Sequence, residues 1–123
     1  EVDNSAKKAY ELVISSGHTE ELQEEVCKDP YFAYCFAKEI KGADIEYCQE
    51  AACKDPNCAY LFARDVEGAD IGYCQKAACR GPELAYWFAR DVNGADLDIC
   101  LEAVRGTEWE YKVRKLVVER GLG

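Results

Sequence analysis

A unit of 26 residues occurs three times in this chain and dominates its sequence. The clearest copy is DPNCAYLFARDVEGADIGYCQKAAC at residues 55–79, with an earlier copy at residues 29–53 and a later one at residues 81–104. Periods of about 20 to 50 residues are typical of arrays in which each unit buries its apolar face against its neighbours. The repeat therefore restricts the chain to a stack of similar units.

Each copy has the pattern of two helices joined by a short turn. In the first copy, Asp29 and Pro30 supply an N-cap and a first helical residue. Gly42 then predicts a left-handed C-cap, and Asp44 predicts the N-cap of the second helix. Between them lies an apolar stripe with the spacing of a core-facing helix: Ala33, Phe36, Ala37 and Ile40. The later copies repeat it at Ala59, Phe62, Ala63 and Val66, and at Ala85, Phe88, Ala89 and Val92.

The two ends of the chain have the pattern of degenerate copies. Asn4 or Ser5 predicts the cap of a first helix over residues 6–16, and Thr19 the cap of a second over residues 20–28. Tyr10 and Ile14 fall at the register of Phe36 and Ile40. At the other end Thr107 and Glu110 predict a capping box, followed by an apolar face at Trp109, Val113, Leu116 and Val117.

These patterns predict an all-α fold, a right-handed α-solenoid of about nine helices in helical-hairpin repeats. We expect one repeat domain over residues 1–123. Its parts are an N-terminal capping hairpin at 1–28, repeats at 29–54, 55–80 and 81–106, and a C-terminal capping helix at 107–123.

Eight cysteines are present, and six occupy two repeated positions. Cys27, Cys53 and Cys79 end the second helix of a unit, and the last unit has Arg105 there instead. Cys48, Cys74 and Cys100 lie inside that helix, and the N-terminal unit has Leu22 there instead. The two sets are therefore offset from each other by one unit.

This offset predicts disulfides between successive units. Pairing within one helix would leave Cys27 and Cys100 unpaired, whereas pairing between units leaves none. The predicted bridges are Cys27–Cys48, Cys53–Cys74 and Cys79–Cys100, with Cys35–Cys58 as a fourth bridge between adjacent first helices. The alternatives are reduced cysteines that fill the core and, less favoured without C-x2-C spacing and with His18 as the one histidine, a zinc site.

Disulfide bridges predict an extracytoplasmic or secreted location, and the cytoplasm of a hyperthermophile is the alternative. Bridges engineered into a repeat scaffold are a third reading of the same pattern. EVDNSAKKAY at the start lacks the apolar core of a signal peptide and an initiator Met, which predicts a processed or trimmed chain.

Composition disfavours nucleic acids and membranes as partners. The chain has 24 acidic and 15 basic residues and a net charge of −9, which disfavours nucleic acid because phosphate binding needs clustered basic residues. It has no apolar run of the ~20 residues that a membrane span needs, and an acidic surface repels anionic lipid. We expect no nucleic-acid or membrane partner, and a basic protein or peptide is favoured by charge.

Catalytic groups are scarce. His18 lies at a predicted helix start, and paired cysteines leave no thiolate nucleophile. The recurring pairs Arg64-Asp65 and Arg90-Asp91 fit surface or inter-repeat ion pairs. The remaining candidate carboxylates fit helix N-caps: Asp29, Asp44, Asp55 and Asp70. We expect no enzymatic activity, no cofactor and no metal site.

Positions that differ between copies predict where a partner binds, because solenoids vary the face that meets a partner. The candidate binding residues, chosen as large apolar or aromatic side chains, are Tyr31, Tyr47, Leu61, Tyr73 and Trp87. For Leu61 and Trp87 the alternative is packing between repeats. Tyr34, Tyr60 and Tyr86 do not vary, and they predict a tyrosine ladder between stacked helices.

The segments DPYFAYCFAKEIKGADI, DPNCAYLFARDVEGADI and GPELAYWFARDVNGADL resemble a class of bacterial and phage helical-hairpin repeats of the form D-P-x-x-A-Y-x-F-A-x-x-V-x-G-A-D-I. The resemblance covers residues 29–104 and implies an α-solenoid without implying an activity. We therefore expect a non-catalytic protein-interaction module or scaffold. The alternatives are a structural, self-assembling subunit, an engineered scaffold and, least favoured, an enzyme.

Overall fold

The computed structural model describes residues 4–121. Over this range the chain forms nine α-helices and no strand, which confirms the prediction of an all-α fold. In chain order they are α1 (Ser5–Ser16), α2 (Thr19–Val26), α3 (Pro30–Glu39), α4 (Ile45–Ala52), α5 (Pro56–Asp65), α6 (Ile71–Ala78), α7 (Pro82–Asp91), α8 (Leu97–Val104) and α9 (Glu110–Glu119).

The helices pack as four pairs followed by a single helix. The pairs are α1 with α2, α3 with α4, α5 with α6 and α7 with α8, and α9 packs on α7 and α8. The first helices of successive pairs also pack on one another: α1 on α3, α3 on α5 and α5 on α7. One hydrophobic cluster therefore runs from α1 through α9.

Aspartate side chains start the helices of the repeats, as the sequence predicts. The carboxylate of Asp29 accepts from the backbone N–H groups of Tyr31 and Phe32. Asp44, Asp55 and Asp70 cap α4, α5 and α6 in the same way, and Asp96 caps α8. Each satisfies backbone donors that a helix start leaves without an intrahelical acceptor.

The turn inside each repeat is the same in all three copies. Gly42, Gly68 and Gly94 have φ values of 92°, 89° and 86°, a left-handed conformation that only glycine adopts without steric cost. The sequence predicts that Gly42 caps α3, but it does not cap the helix directly. The helix ends at Glu39, and Ile40 follows it in an extended conformation. The glycine instead turns the chain toward Asp44.

Alanine and phenylalanine together form the buried side of each first helix in the repeats. Phe36, Phe62 and Phe88 are fully buried, each beside two alanines that are also buried. Small alanines allow two helix backbones to approach, and the ring fills the space that remains. The predicted core stripes are confirmed at their alanines and phenylalanines and at Val66 and Val92, whereas Ile40 is only partly buried.

The register of α1 differs from the prediction. Its buried residues are Ala6, Ala9 and Val13, whereas Ile14 is 61% exposed. Val13 rather than Ile14 therefore takes the place of Ile40. The cause is the connection to α2, which has two residues, Gly17 and His18, where the repeats have five. A shorter connection lengthens α1 and displaces its core face by one residue.

The caps near both ends also differ from the prediction. Asn4 makes no side-chain cap, and Thr19 is the first residue of α2 rather than its cap. Near α9 the Thr107 hydroxyl accepts from Trp109 N at 3.2 Å, while the Glu110 carboxylate accepts from Gly106 N at 2.9 Å. The predicted capping box is therefore displaced by one residue, because α9 begins at Glu110.

Between residues 4 and 121 no helix combines the length and the apolar character that crossing a membrane requires. The predicted domain boundaries include residues 1–3 and 122–123, which lie outside the described residues.

Candidate functional site

Three pairs of cysteine side chains join the second helices of successive units. The Sγ atoms of Cys27 and Cys48 lie 3.6 Å apart, as do those of Cys53 and Cys74, and those of Cys79 and Cys100 lie 4.0 Å apart. Cys48, Cys74 and Cys100 are fully buried. The structure thus brings together the pairs that the one-unit offset predicts, as neighbouring free thiols.

The two thiols of each pair have different acidities. The pKa of Cys27 is lowered because Cys48 can donate a hydrogen bond to its thiolate, and the pKa of Cys48 is raised by the same hydrogen bond and by burial. Cys53 with Cys74 and Cys79 with Cys100 show the same split. In every pair the two thiols therefore share one hydrogen bond, and burial disfavours the thiolate of the inner cysteine.

The other two cysteines are placed differently. Cys35 lies in α3 and Cys58 in α5, and the described residues show no thiol–thiol hydrogen bond between them. Burial raises the pKa of Cys35. Burial and the Asp55 carboxylate raise the pKa of Cys58 to about 12. The Cys35–Cys58 bridge stays a prediction.

A glutamine beside each cysteine pair makes a second link between units. The side-chain oxygens of Gln23 and Gln49 accept from the backbone N–H groups of Asp44 and Asp70 at 2.8 and 2.7 Å. Gln75 makes two such bonds: its oxygen accepts from Asp96 N at 3.0 Å, and its amide nitrogen donates to Asp96 O at 2.7 Å. Each glutamine thus fixes the N-cap residue of the next unit's second helix.

We expect Gln75→Leu to destabilise the protein by about 1–3 kcal/mol, because the buried Gln75 side chain loses its two hydrogen bonds to the Asp96 backbone, each worth about 0.5–1.5 kcal/mol. Urea denaturation measures the change. Lys76→Ala, at the exposed neighbouring position, is the matched control and should change stability by less than about 0.5 kcal/mol. Equal stabilities for the two variants would contradict a structural role for the glutamine.

Tyrosine and aspartate link the first helices of successive units. The hydroxyl of Tyr34 donates to the Asp65 carboxylate, and the hydroxyl of Tyr60 donates to that of Asp91. Arg90 holds Asp91 with two bonds, at 2.7 and 2.8 Å. The recurring Arg-Asp pairs are therefore contacts within one helix, and the tyrosine connects each pair to the preceding unit.

Asp91 gives this link a dependence on pH. The Arg90 guanidinium, with the Tyr60 hydroxyl, lowers the pKa of Asp91 to about 2. An unfolded aspartate has a pKa of about 3.9, so the link stabilises the fold above that pH and is lost as the pH falls toward the folded value.

We expect Asp91→Asn to flatten the loss of stability between about pH 4 and pH 2, because the variant has no carboxylate to protonate there. Urea midpoints measured across this range for wild type and variant provide the test. Tyr60→Phe keeps Arg90 in place and should give an intermediate slope. Parallel curves for wild type and Asp91→Asn would refute the linkage.

Two of the predicted binding residues share one face. Tyr47 on α4 and Tyr73 on α6 occupy equivalent positions and are 43% and 45% exposed. Ile99 on α8 occupies the next equivalent position and is 48% exposed. We call the outer surface of α4, α6 and α8 around these three residues the second-helix face.

The remaining predicted binding residues lie on the first helices. Tyr31 on α3 is half exposed, and its ring lies 5.4 Å from that of Phe32. Leu61 and Trp87 are partly buried against the core, and the Trp87 ring lies 6.1 Å from that of Tyr60. The structure therefore separates Tyr31, Leu61 and Trp87 from the second-helix face.

An acidic cleft of 480 Å³ runs beside Tyr73 on the second-helix face. Its polar lining includes the carboxylates of Asp44, Glu46, Glu50 and Asp70. Ile45 and Gly68 also line it. The second-helix face thus combines exposed apolar side chains with a group of carboxylates.

Sequence reasoning places Ile99 among the positions that vary between copies without choosing it as a binding residue, and it missed the three glutamines. Ile99 occupies the position of the repeat that Tyr47 and Tyr73 occupy in the earlier copies. The large apolar side chain in all three copies is the feature that could have identified it. Gln23, Gln49 and Gln75 recur at the same period and are absent from the last unit, where Leu101 stands. That is the same offset by which Cys27, Cys53 and Cys79 indicate contacts with the following unit.

Within residues 4–121, no group of three or more His, Cys, Asp and Glu side chains is arranged to hold a metal ion. His18 lies before α2, with its Nδ1 3.9 Å from the exposed Glu21 carboxylate. Comparison of the chain with protein-family models, with curated proteins and with solved structures gives no match.

Proposed function

We propose that this chain is a non-catalytic protein-interaction module built on a right-handed α-solenoid. The support for the solenoid is the recurrence of the same contacts in register: hairpin on hairpin, Phe between alanines, Gln on the next N-cap, Tyr on the next Asp. Arrays of this kind are stabilised by contacts between neighbouring units and present a long, continuous face to a partner.

In the proposed functional form the units are braced by Cys27–Cys48, Cys53–Cys74 and Cys79–Cys100. Formation of each bridge removes two protons and two electrons, which an oxidant such as oxidised glutathione accepts. The support is the thiol separations of 3.6–4.0 Å, from which small side-chain rotations reach bonding distance. Such bridges would place the protein in an extracytoplasmic, oxidising environment.

The partner site is the second-helix face. One observation carries this assignment: Tyr47, Tyr73 and Ile99 are exposed at equivalent positions, whereas Cys48, Cys74 and Cys100 beside them are fully buried. Tyrosine is enriched among the residues that dominate protein interfaces, and two of these three residues are tyrosines. Their regular spacing, one per unit, suits an extended partner.

Charge selects the partner's chemistry. The cleft beside Tyr73 is lined by four carboxylates, and the chain as a whole carries a charge of −9. A peptide segment with lysine or arginine beside an apolar anchor complements both features. We therefore propose a basic protein or peptide as the partner.

A random-peptide display library selected on the oxidised protein tests this proposal. The selected peptides should be basic, should bind more weakly as salt is added, and should lose about 30-fold or more in affinity for the double variant Tyr47→Ser/Tyr73→Ser. Tyr111→Ser is the matched control, since this tyrosine is also exposed but lies on α9.

Two outcomes would contradict the proposal. One is selection of peptides that bind wild type and the double variant equally well. The other is a concentration-dependent oligomer in sedimentation that the double variant abolishes, because a second copy of the chain would then occupy the face, as a self-assembling subunit requires.

A further inference from the structure

The three cysteine pairs place two sulfur atoms side by side without a third strong ligand. Their Sγ–Sγ separations are 3.6, 3.6 and 4.0 Å. In the described part of the chain no additional His, Cys, Asp or Glu completes a cluster of three around them. A zinc ion, which takes four ligands in structural sites, is therefore poorly matched to these pairs.

The distance between the two sulfur atoms of a pair also limits which thiol-binding ions the pair can hold. With sulfur bonds of ~2.3 Å, as in thiolate complexes of zinc, a linear S–metal–S unit needs sulfurs ~4.6 Å apart, which is wider than any of the three pairs. With bonds of the same length, the observed separations correspond to angles of about 100–120° at the bound atom. A pyramidal centre with two sulfur ligands and one open position suits this geometry.

Surface clefts reach one cysteine in two of the pairs, and the fully buried partner lies directly behind it at 3.6 Å. Cys53 lines a cleft of 370 Å³ together with Tyr73, Lys76, Ala77 and Arg80. Cys27 lines a cleft of 150 Å³ beside Tyr47. A cavity of ~150 Å³ is large enough to hold benzene, so a small aryl group on the bound atom has space beside the sulfurs. In the third pair Cys79 is itself partly exposed.

We infer that each of these three pairs, when reduced, is a binding site for a trivalent arsenical, held by two sulfur atoms from successive units. An aryl arsenoxide reacts with the two thiols to form two arsenic–sulfur bonds, and the arsenic–oxygen bond breaks. The two thiol protons leave with that oxygen as water. Arsenic stays trivalent and sulfur is not oxidised, so the step needs no oxidant.

The chelate links two units as a bridge does. It joins residues that are 21 positions apart and therefore restricts the unfolded chain. Binding should raise the Tm of the reduced protein. A monothiol competitor cannot displace a chelated arsenical at comparable concentration, because the second thiol acts at a high effective concentration.

The test uses phenylarsine oxide with the full chain, reduced and freed of reductant. Native mass spectrometry should show three bound phenylarsenic groups in wild type and two in Cys74→Ser. Cys58→Ser is the matched control and should keep three. A dithiol should remove the groups, a monothiol should not, and the Tm of wild type should rise on binding.

Stoichiometry that is unchanged by Cys74→Ser, or that falls with Cys58→Ser, would overturn the assignment, as would the absence of bound arsenic. Because the experiment starts from reduced protein, it is separate from the proposed oxidation. Failure of the bridges to form would leave three arsenical sites, whereas failure of arsenical binding would leave the connectivity of the bridges untouched.

Discussion

Phe62→Ala is expected to lower the free energy of unfolding by about 3–5 kcal/mol. Phe62 is 0% exposed and stands in the middle repeat, between buried alanines of its own helix. Its removal takes a fully buried ring out of the hydrophobic core and leaves a cavity. Because domains of this size are stable by only about 5–15 kcal/mol, this is a large fraction of the total.

Urea denaturation followed by circular dichroism measures the change. Phe62→Leu refills most of the space and should lose less than about 1.5 kcal/mol. Leu12→Ala, at a position 53% exposed, is the surface control and should change stability by less than about 0.5 kcal/mol. A loss below about 1 kcal/mol in Phe62→Ala would show that the phenylalanine row is not the core of the array.

The second large effect is expected from oxidation. Each predicted bridge closes a loop between residues 21 positions apart, which contributes about 3 kcal/mol in the chain-entropy model. The oxidised protein should therefore unfold at a higher urea concentration than the reduced one. The double variant Cys53→Ala/Cys74→Ala should lose about 2–4 kcal/mol of this difference.

The comparison is made within each variant, oxidised against reduced, so that the loss of the buried sulfurs themselves cancels. Cys58→Ala, which leaves the three pairs intact, should keep the wild-type contribution of those pairs. Identical urea midpoints for oxidised and reduced wild type would mean that the thiols stay free and only fill the core.

Much of the fold could be predicted because the chain contains three copies of one unit. Position by position, the copies show which residues the structure requires, such as Phe36, Phe62 and Phe88. The one-unit offset between the cysteine sets also predicts which thiols lie together, and the structure places those thiols 3.6–4.0 Å apart. Comparison within one chain thus replaces comparison between relatives.

The first unit could not be predicted in the same way. Its connection between α1 and α2 is three residues shorter than the corresponding connection in the repeats, so Val13 rather than Ile14 faces the core. Local apolar spacing fits both residues equally well. The length of the connection to α2 selects between them.

The polar links between units were harder to recognise than the cysteine pairs. The recurring tyrosines predict contacts between stacked helices, but not their aspartate partners, and the offset of the glutamines indicates contact with the next unit without identifying the groups they bind. Gln75 is 2% exposed, and its two hydrogen bonds reach Asp96, which is 21 residues further along the chain. Tyr60 reaches Asp91 across 31 residues. Such contacts depend on how the hairpins stack, which spacing alone does not determine.

We propose above all that disulfides link successive units, and the connectivity of the cysteines tests this most directly. The protein is oxidised, its free thiols are blocked, and its unreduced peptides are identified by mass spectrometry. We predict cross-linked peptides that contain Cys27 with Cys48, Cys53 with Cys74, and Cys79 with Cys100. Cross-links within one helix, Cys48 with Cys53 or Cys74 with Cys79, or eight blocked thiols, would contradict disulfide joints between units.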